Sequence, residues 1–307
     1  MRSWIRNILA LIALLLGFFI WSFTPSKLFM PAAVPYVAPQ ANPPAGMSIA
    51  ALRAGEVSDR AIFAFRGGRW SDHRRFAMGG ILVRHPRGML LFDTGFGARV
   101  DQHVASLDFM TKQTAHYTKG TPVAVQLRAA GIEPKQLQAV VLTHAHWDHV
   151  SGLDDLPGVP VWVSRPELDF IRDGGNASAL VRSFGALDYV PFDFPNGPYL
   201  GFAQSRDVYG DGSVVLVPAY GHTPGSIIAF IALPNGARYA LVGDLVWQKE
   251  GVELPAERPW PVRLLVDSDS AQVREVIVHM RQIVDRIPSM VVVPAHDARV
   301  WSSLPKL

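Results

Sequence analysis

A chain of 307 residues that is 49% hydrophobic and only 18% charged has the apolar material for a large buried core, which excludes a disordered protein. Its formal charge of +3 comes from scattered Lys and Arg, so the basic stripe that tracks a phosphate backbone is missing and nucleic acid is not an expected partner. The chain has no cysteine, which excludes disulfides, thiolate metal ligands and a cysteine nucleophile.

In chain order, the first element is the apolar stretch Ile8–Phe23, "ILALIALLLGFFIWSF", preceded by Arg2, Trp4 and Arg6 and closed by Trp21. It falls between a signal-peptide core and a full span of about 20 residues. Aromatic rings at both edges favour a membrane interface, and the small-x-small pattern of a cleavage site does not follow. The expectation is an uncleaved signal anchor (residues 1–30) with the catalytic body exported to a periplasmic location; a cleaved signal peptide is the alternative. Residues 31–46, "PAAVPYVAPQANPPAG", are rich in Pro and Ala without charge, and are expected to form an extended tether. Residues 47–307 are expected to form one catalytic domain.

From Met47 on, short apolar runs alternate with Gly, Pro and Asn. "GGILVRHPRGMLLFDTGFG" (79–97) reads as two strands joined at a His85–Gly88 turn. Helices are expected over 122–132 and over 270–287, the latter after a Ser or Asp cap. Strands are expected at 137–144, 159–164, 213–222, 226–233, 237–244 and 289–297. Strands in both halves interrupted by helices predict an α/β sandwich of sheets covered by helices.

Ionisable residues recur where those strands end. "VVLTHAHWDH" closes on His144, His146, Asp148 and His149, "LVPAYGH" on His222, "LVGD" on Asp244 and "VVVPAH" on His296. Imidazole and carboxylate are zinc ligands, and this set is too large for one ion but suits two. His144 and His146 leave the strand pointing one way with His222 completing a first site; Asp148 and His149 fall one turn later, with His296 completing a second and Asp244 bridging. Single histidines after a strand are more often polar loop residues, and His73, His85, His103, His116 and His279 receive that reading; "SDHRR" (71–75) is expected to be a solvated turn.

With "FDTG", "THAHWDH", "GHTPGS", "GD" and "PAHD" in that order, the sequence resembles the metallo-β-lactamase-fold hydrolase superfamily over most of residues 47–300. The resemblance implies a four-layer αββα sandwich and two divalent ions, expected to be zinc, on the residues just named. It also implies that Asp93, with Thr143 beside the motif, steers a ligand histidine or its loop. The implied chemistry is hydrolytic: a bridging hydroxide attacks a polarised carbonyl, with Asp148 serving as both ligand and proton shuttle.

For the substrate, "MSIAALRAGEV", "VWVSRPELDFI" and "PAHD" are most similar to the acyl-homoserine lactonase branch. That branch commonly carries a tyrosine three residues after the bridging aspartate, whereas this chain has Trp247, whose indole can only donate. Either Tyr220 serves in its place or the substrate differs; Trp247 itself is a substrate contact or a wall aromatic. A β-lactam hydrolase and a glyoxalase-II-like thioesterase are the alternatives; a bridging Asp244 and the absence of cysteine speak against the first, and an exported location against the second. A membrane-tethered protein that binds metal without catalysis is the remaining class, and the intact ligand set argues against it. The pocket for a small acyl substrate is expected among residues 98–120 and 165–210, whose apolar contacts could equally serve a homodimer.

Overall fold

Strands in this protein bury both faces, which is why their sequences run continuously apolar instead of alternating. Val214 and Leu216 point into a core between two sheets, while Val215 and Val217 on the same strand point outward into a second core under a helix. The computed structural model describes residues 2–33, 35–37 and 40–307; Met1, and Val34, Ala38 and Pro39 of the expected tether, lie outside the described residues.

In chain order the strands are β1 (Ser48–Arg60), β2 (His73–His85), β3 (Gly88–Phe92), β4 (Tyr117–Lys119), β5 (Leu137–Val141), β6 (Val161–Ser164), β7 (Tyr189–Phe192), β8 (Arg206–Asp207), β9 (Val214–Pro218), β10 (Ile227–Ala232), β11 (Arg238–Gly243) and β12 (Met290–Pro294). The helices are α1 (Arg2–Ser22), α2 (Ala61–Ala64), α3 (Val100–Ser106), α4 (Phe109–Thr114), α5 (Val123–Ala129), α6 (Trp147–Val150), α7 (Arg165–Asp173), α8 (Ala179–Ser183), α9 (Glu250–Glu253), α10 (Trp260–Val266), α11 (Ser270–Arg286) and α12 (Ala298–Ser303).

One sheet has the order β4-β1-β2-β3-β5-β6-β7 and the other β12-β11-β10-β9-β8. Between them lie Ile81, Leu90, Phe92 and Val141 of the first sheet against Leu216, Ile227, Ala229 and Leu241 of the second. Outside the first sheet, Leu52, Leu82 and Val140 pack with Leu127 of α5 and Leu168 of α7. Outside the second, Ile228, Phe230 and Val242 pack with Val273, Ile277, Met280 and Ile283 of α11. The spacing of those α11 residues is the helical period read from sequence, and Asp269 caps the helix by accepting from the Ala271 and Gln272 amides. β3 and β5 run parallel, as do β11 and β12, so each pair delivers its C-terminal ends, and the residues that follow, to one edge of its sheet.

Several expectations change. "SDHRR" is a turn only as far as Asp72: His73–Arg75 open β2, paired with Ser58–Arg60 of the long β1. His85 is buried in β2, stacked on Tyr209 and bonded to Asp211. His103 lies buried in α3 beside Ser151, and His279 of α11 bonds the Leu200 carbonyl. These are core and helix histidines, not loop residues, and burial holds both His103 and His279 below the ordinary imidazole range. Among its described residues the expected tether has no helix or strand, yet these lie along the domain: Gln282 donates to the Pro31 carbonyl, Arg286 stands over the Tyr36 ring and the Asn42 amide bonds the Asp211 carbonyl. Residues 98–120 form α3, α4 and β4; residues 165–210 form α7, α8, β7 and β8.

Candidate metal centre

Strand ends carry the site. Asp93 follows β3, Thr143 and His144 follow β5, Asp244 follows β11 and His296 follows β12, while His222 lies in the turn between β9 and β10. Backbone bonds close these ends on one another: the Asp93 amide donates to the Val141 carbonyl, the Ala295 amide to the Gly243 carbonyl and, across the two sheets, the Ile227 amide to the Thr143 carbonyl. Gly243 sits at φ +52° with its Cα against Thr143, where an added Cβ would come within 2.9 Å of the hydroxyl, so glycine alone fits that crossing.

Seven residues named from sequence converge there. The ligand atoms of His144, His146 and His222 lie within 4.8 Å of one another, as do those of Asp148, His149 and His296, and those of His144, His149 and Asp244. His222 Nε2 is 3.2 Å from His144 Nε2 and 2.9 Å from His146 Nδ1; His149 Nε2 is 3.3 Å from His296 Nε2. Asp244 stands between the groups, with Oδ2 3.5 Å from His222 Nε2 and Oδ1 2.9 Å from His296 Nε2 and 3.2 Å from His149 Nε2. Asp148 Oδ2 is 3.4 Å from His296 Nε2.

Outer partners decide which nitrogen faces inward. His149 Nδ1 donates to Asp93 Oδ2 at 2.9 Å, His296 Nδ1 to the Ala77 carbonyl at 2.9 Å and His222 Nδ1 to Asp267 Oδ1 at 3.0 Å. With those protons placed outward, the Nε2 lone pairs point at each other. Buried lone pairs set 3 Å apart repel unless a cation lies between them, and Asp244 Oδ1 is buried without a hydrogen-bond donor. The donor set of imidazole and carboxylate therefore fits divalent ions.

Electrostatics separates the histidines. Burial, reinforced by neighbouring imidazoles, holds His144 and His146 well below the ordinary value, which keeps them neutral. Burial acts the same way on His149, but Asp93 and Asp244 outweigh it and hold that ring well above the ordinary value, so a divalent ion would compete there with a proton on Nε2 and displace it on binding. Burial would raise Asp244, yet His296 and His149 keep it well below the carboxylate range.

Asp93 is the busiest support. It adopts φ +56° and accepts from the Thr143 amide (2.8 Å), the Thr143 hydroxyl (2.7 Å) and His149. Two further carboxylates escape a reading by sequence motif. Glu167, fully buried at the start of α7, accepts from the Ala145 amide (2.6 Å), the Thr223 hydroxyl (2.6 Å) and the Gly225 amide (3.1 Å), so it locks the His144–His146 turn to the His222 turn. Burial pushes Glu167 up to about 7 against those bonds. Asp267, after α10, pairs with Arg258 at 2.6 Å as well as with His222, and Arg258 also donates to the Asp244 and Leu245 carbonyls. "SRPE" (164–167) did carry a signal for Glu167, since a Ser-x-x-Glu pattern marks a helix start; here the Ser164 hydroxyl accepts from the Glu167 amide while the Glu side chain turns to the metal loops.

Trp247 donates its indole N–H to Asp244 Oδ2 at 2.7 Å, packs edge-on to Phe76 and carries the Arg258 guanidinium 5.0 Å from its ring. Its single donor is thus committed to the carboxylate. Tyr220 is half-buried and makes no hydrogen bond to the seven residues. Trp147 stacks on Phe96, which meets Tyr117 edge-on, and Phe170 of α7 lies 6.0 Å from the His146 ring.

Known proteins are similar to this chain in sequence and in fold. The chain is 29% identical over 247 residues to a probable metallo-hydrolase of Mycobacterium tuberculosis, covering 72% of this chain and 74% of that one. It is 27% identical over 231 residues to the N-acyl homoserine lactonase AttM of Rhizobium johnstonii, covering 73% and 83%. Its fold superposes on a variant of B. thuringiensis AiiA with N-decanoyl-L-homoserine bound at the active site, with a TM-score of 0.65, 18% identity and coverage of 85% and 97%. The sequence profile of the metallo-beta-lactamase superfamily matches residues 81–296, and with the strand-end histidines and aspartates in place this chain belongs to that superfamily of metal-dependent hydrolases.

Proposed function

We infer that the protein holds two divalent ions, zinc by its donor set, and hydrolyses a lactone of the acyl-homoserine type or a related ester. The observation that carries the dinuclear reading is Asp244, whose two oxygens are divided between His222 on one side and His149 and His296 on the other. Support for the substrate class comes from the lactonase relative, which is similar along nearly three-quarters of this chain.

When bound, the ions supply the Lewis acidity that makes water nucleophilic near neutral pH and polarises a carbonyl. The protein's own residues do the rest. Asp93, Asp267 and the Ala77 carbonyl fix the ring orientations, and Trp247 holds Asp244 by one oxygen. Asp148, only partly buried, takes the proton given up by the attacking water and returns it to the leaving oxygen. Phe170 and Trp147 offer partly exposed aromatic surface beside the His144–His149 turn, the wall an acyl chain would meet.

The test is proton release from a panel of acyl-homoserine lactones by the zinc-loaded full-length chain, with metal content measured in parallel. Two ions per chain, turnover that varies with acyl length, and a loss of about 100-fold or more in Asp148→Asn with metal retained are expected. A metal-filled protein inert to every lactone would move the substrate to other esters or β-lactams; one ion per chain would end the dinuclear reading.

A further inference from the structure

The end of α1 is built into the domain. Ser22 is buried and its hydroxyl accepts from the Trp260 amide at 2.6 Å, while Phe18 packs 5.4 Å from the Trp260 ring. Arg66, 5% exposed, donates to the Trp21 and Thr24 carbonyls and stands 4.4 Å from the Trp21 ring. Phe23, Phe63 and Trp70 continue the contact as a chain of edge-on aromatic rings. Above this foot α1 touches almost nothing: Trp4–Ser22 is 6% buried, with a mean hydropathy of 2.0 over 19 residues. At 1.5 Å per residue that length comes to about 28 Å, close to the hydrocarbon thickness of a bilayer.

The surface around the foot is apolar as well. α10, "WPVRLLV", buries none of its residues; Leu264 and Leu265 are 64% and 70% exposed, Trp260 37% and, across the foot, Trp70 61%. Exposed leucines on one short helix need a cover, and the continuity of this patch with a helix long enough to cross a membrane identifies it. Both flanks of α10 reach the metal centre: Arg258 precedes it and Asp267 follows it, and these two pair with each other and hold His222 and the Asp244 backbone. The Ser268 and Asp269 amides add bonds to the His222 and Gly221 carbonyls.

We propose that α10 is an interfacial helix: Trp260, Leu264 and Leu265, with Trp70, lie in the headgroup region of a lipid bilayer crossed by α1, and the helix fixes the metal centre at a set height above that surface. The aromatic rings suit the interface and the leucines the acyl boundary beneath it. The proposal extends the expected anchor from a tether to a docked face, and it is independent of which ester is hydrolysed.

Because the chain has no cysteine, single-cysteine variants of the full-length protein can be spin-labelled at one defined position. The experiment compares Leu264→Cys and Leu265→Cys with Leu15→Cys in α1 and Lys135→Cys, an exposed site in the turn before β5, all in phosphatidylcholine vesicles. Relaxation by oxygen against a water-soluble nickel chelate reads depth. Labels at 264 and 265 are expected at an interfacial depth, shallower than 15, with 135 in water. Labels at 264 and 265 as wet as 135 would overturn the proposal, and so would a wet label at 15. Labels shielded from both reagents, with broadening that disappears on dilution by unlabelled chain, would assign the patch to a second copy instead and equally overturn it. None of these readouts involves turnover, so failure on every lactone leaves them unchanged.

Discussion

The two halves of the metal centre are held by different parts of the fold. The pocket of Asp148, His149 and His296 is backed by core strands: Asp93 at the end of β3 and the Ala77 carbonyl of β2. The pocket of His144, His146 and His222 is backed by outlying elements, Glu167 at the start of α7 and Asp267 at the end of α10. One pocket therefore shares its supports with the sandwich, while the other borrows them from helices laid over it. Loss of a support from the first pocket should disturb the strand ends of the sandwich itself, and loss from the second should be felt by the ion on that side in particular.

The sharpest attempt to break this contrast is Asp93→Ala. It strips the acceptor from the buried Thr143 amide and hydroxyl and from His149, and should cost about 4 kcal/mol in urea unfolding of the metal-free protein. Full stability in that variant would mean the strand ends are held without it.

Glu167 tests the other side by pH. Its folded value is about 7 against an ordinary 4.5, so the folded state keeps a proton that the unfolded chain releases. Its contribution is complete below about pH 4.5 and is lost as pH rises through 7, about 3 kcal/mol in all. Unfolding of the metal-free protein across that window, compared with Glu167→Gln, should show the variant lacking this fall; parallel curves would place Glu167 outside the linkage.

With two ions bound as proposed, Asp267→Asn should weaken one of them by about 10- to 100-fold in chelator competition, because His222 loses a charged partner, and should also lower folding stability, because the buried Arg258 guanidinium loses its counter-charge. Equal weakening of both ions would erase the distinction between the pockets. Trp247→Phe is the smallest change: it removes one donor from the shared Asp244, so both ions should weaken alike by about 1 kcal/mol, roughly fivefold. A loss confined to one ion would show that Asp244 is not shared.

What the sequence revealed divides along the same line. His144, His146, Asp148, His149, His222, Asp244 and His296 were legible because each follows an apolar run that could only be a strand, and a strand end points its next residues at a fixed place. Asp93 was legible through the resemblance carried by "FDTG". Glu167 and Asp267 were not, since the backing for a ligand can come from any element that passes nearby; the Ser-x-x-Glu spacing at Ser164–Glu167 marks a helix start but not the loops its carboxylate holds, and Asp267 has no such spacing at all. The indole of Trp247 pointed to the right neighbourhood, but only the fold shows its proton given to Asp244. The long β1 was missed as a strand because Arg53, Gly55 and Glu56 interrupt its apolar pattern where the pairing with β2 shifts register. His85 and His103 read as loop residues because burial of a lone histidine depends on a remote partner, Tyr209 and Asp211 for one and Ser151 for the other.

His149 and His296, whose ring nitrogens lie 3.3 Å apart, are separated by 147 residues of chain. An ion seated between Asp148, His149 and His296 would tie the middle of the chain to its final strand, closing a loop that includes the entire second sheet. In a chain without cysteine such an ion acts as the covalent staple otherwise would, restricting the unfolded ensemble, and a chelator can undo it. Resistance of the C-terminal third to proteolysis should then follow metal supply.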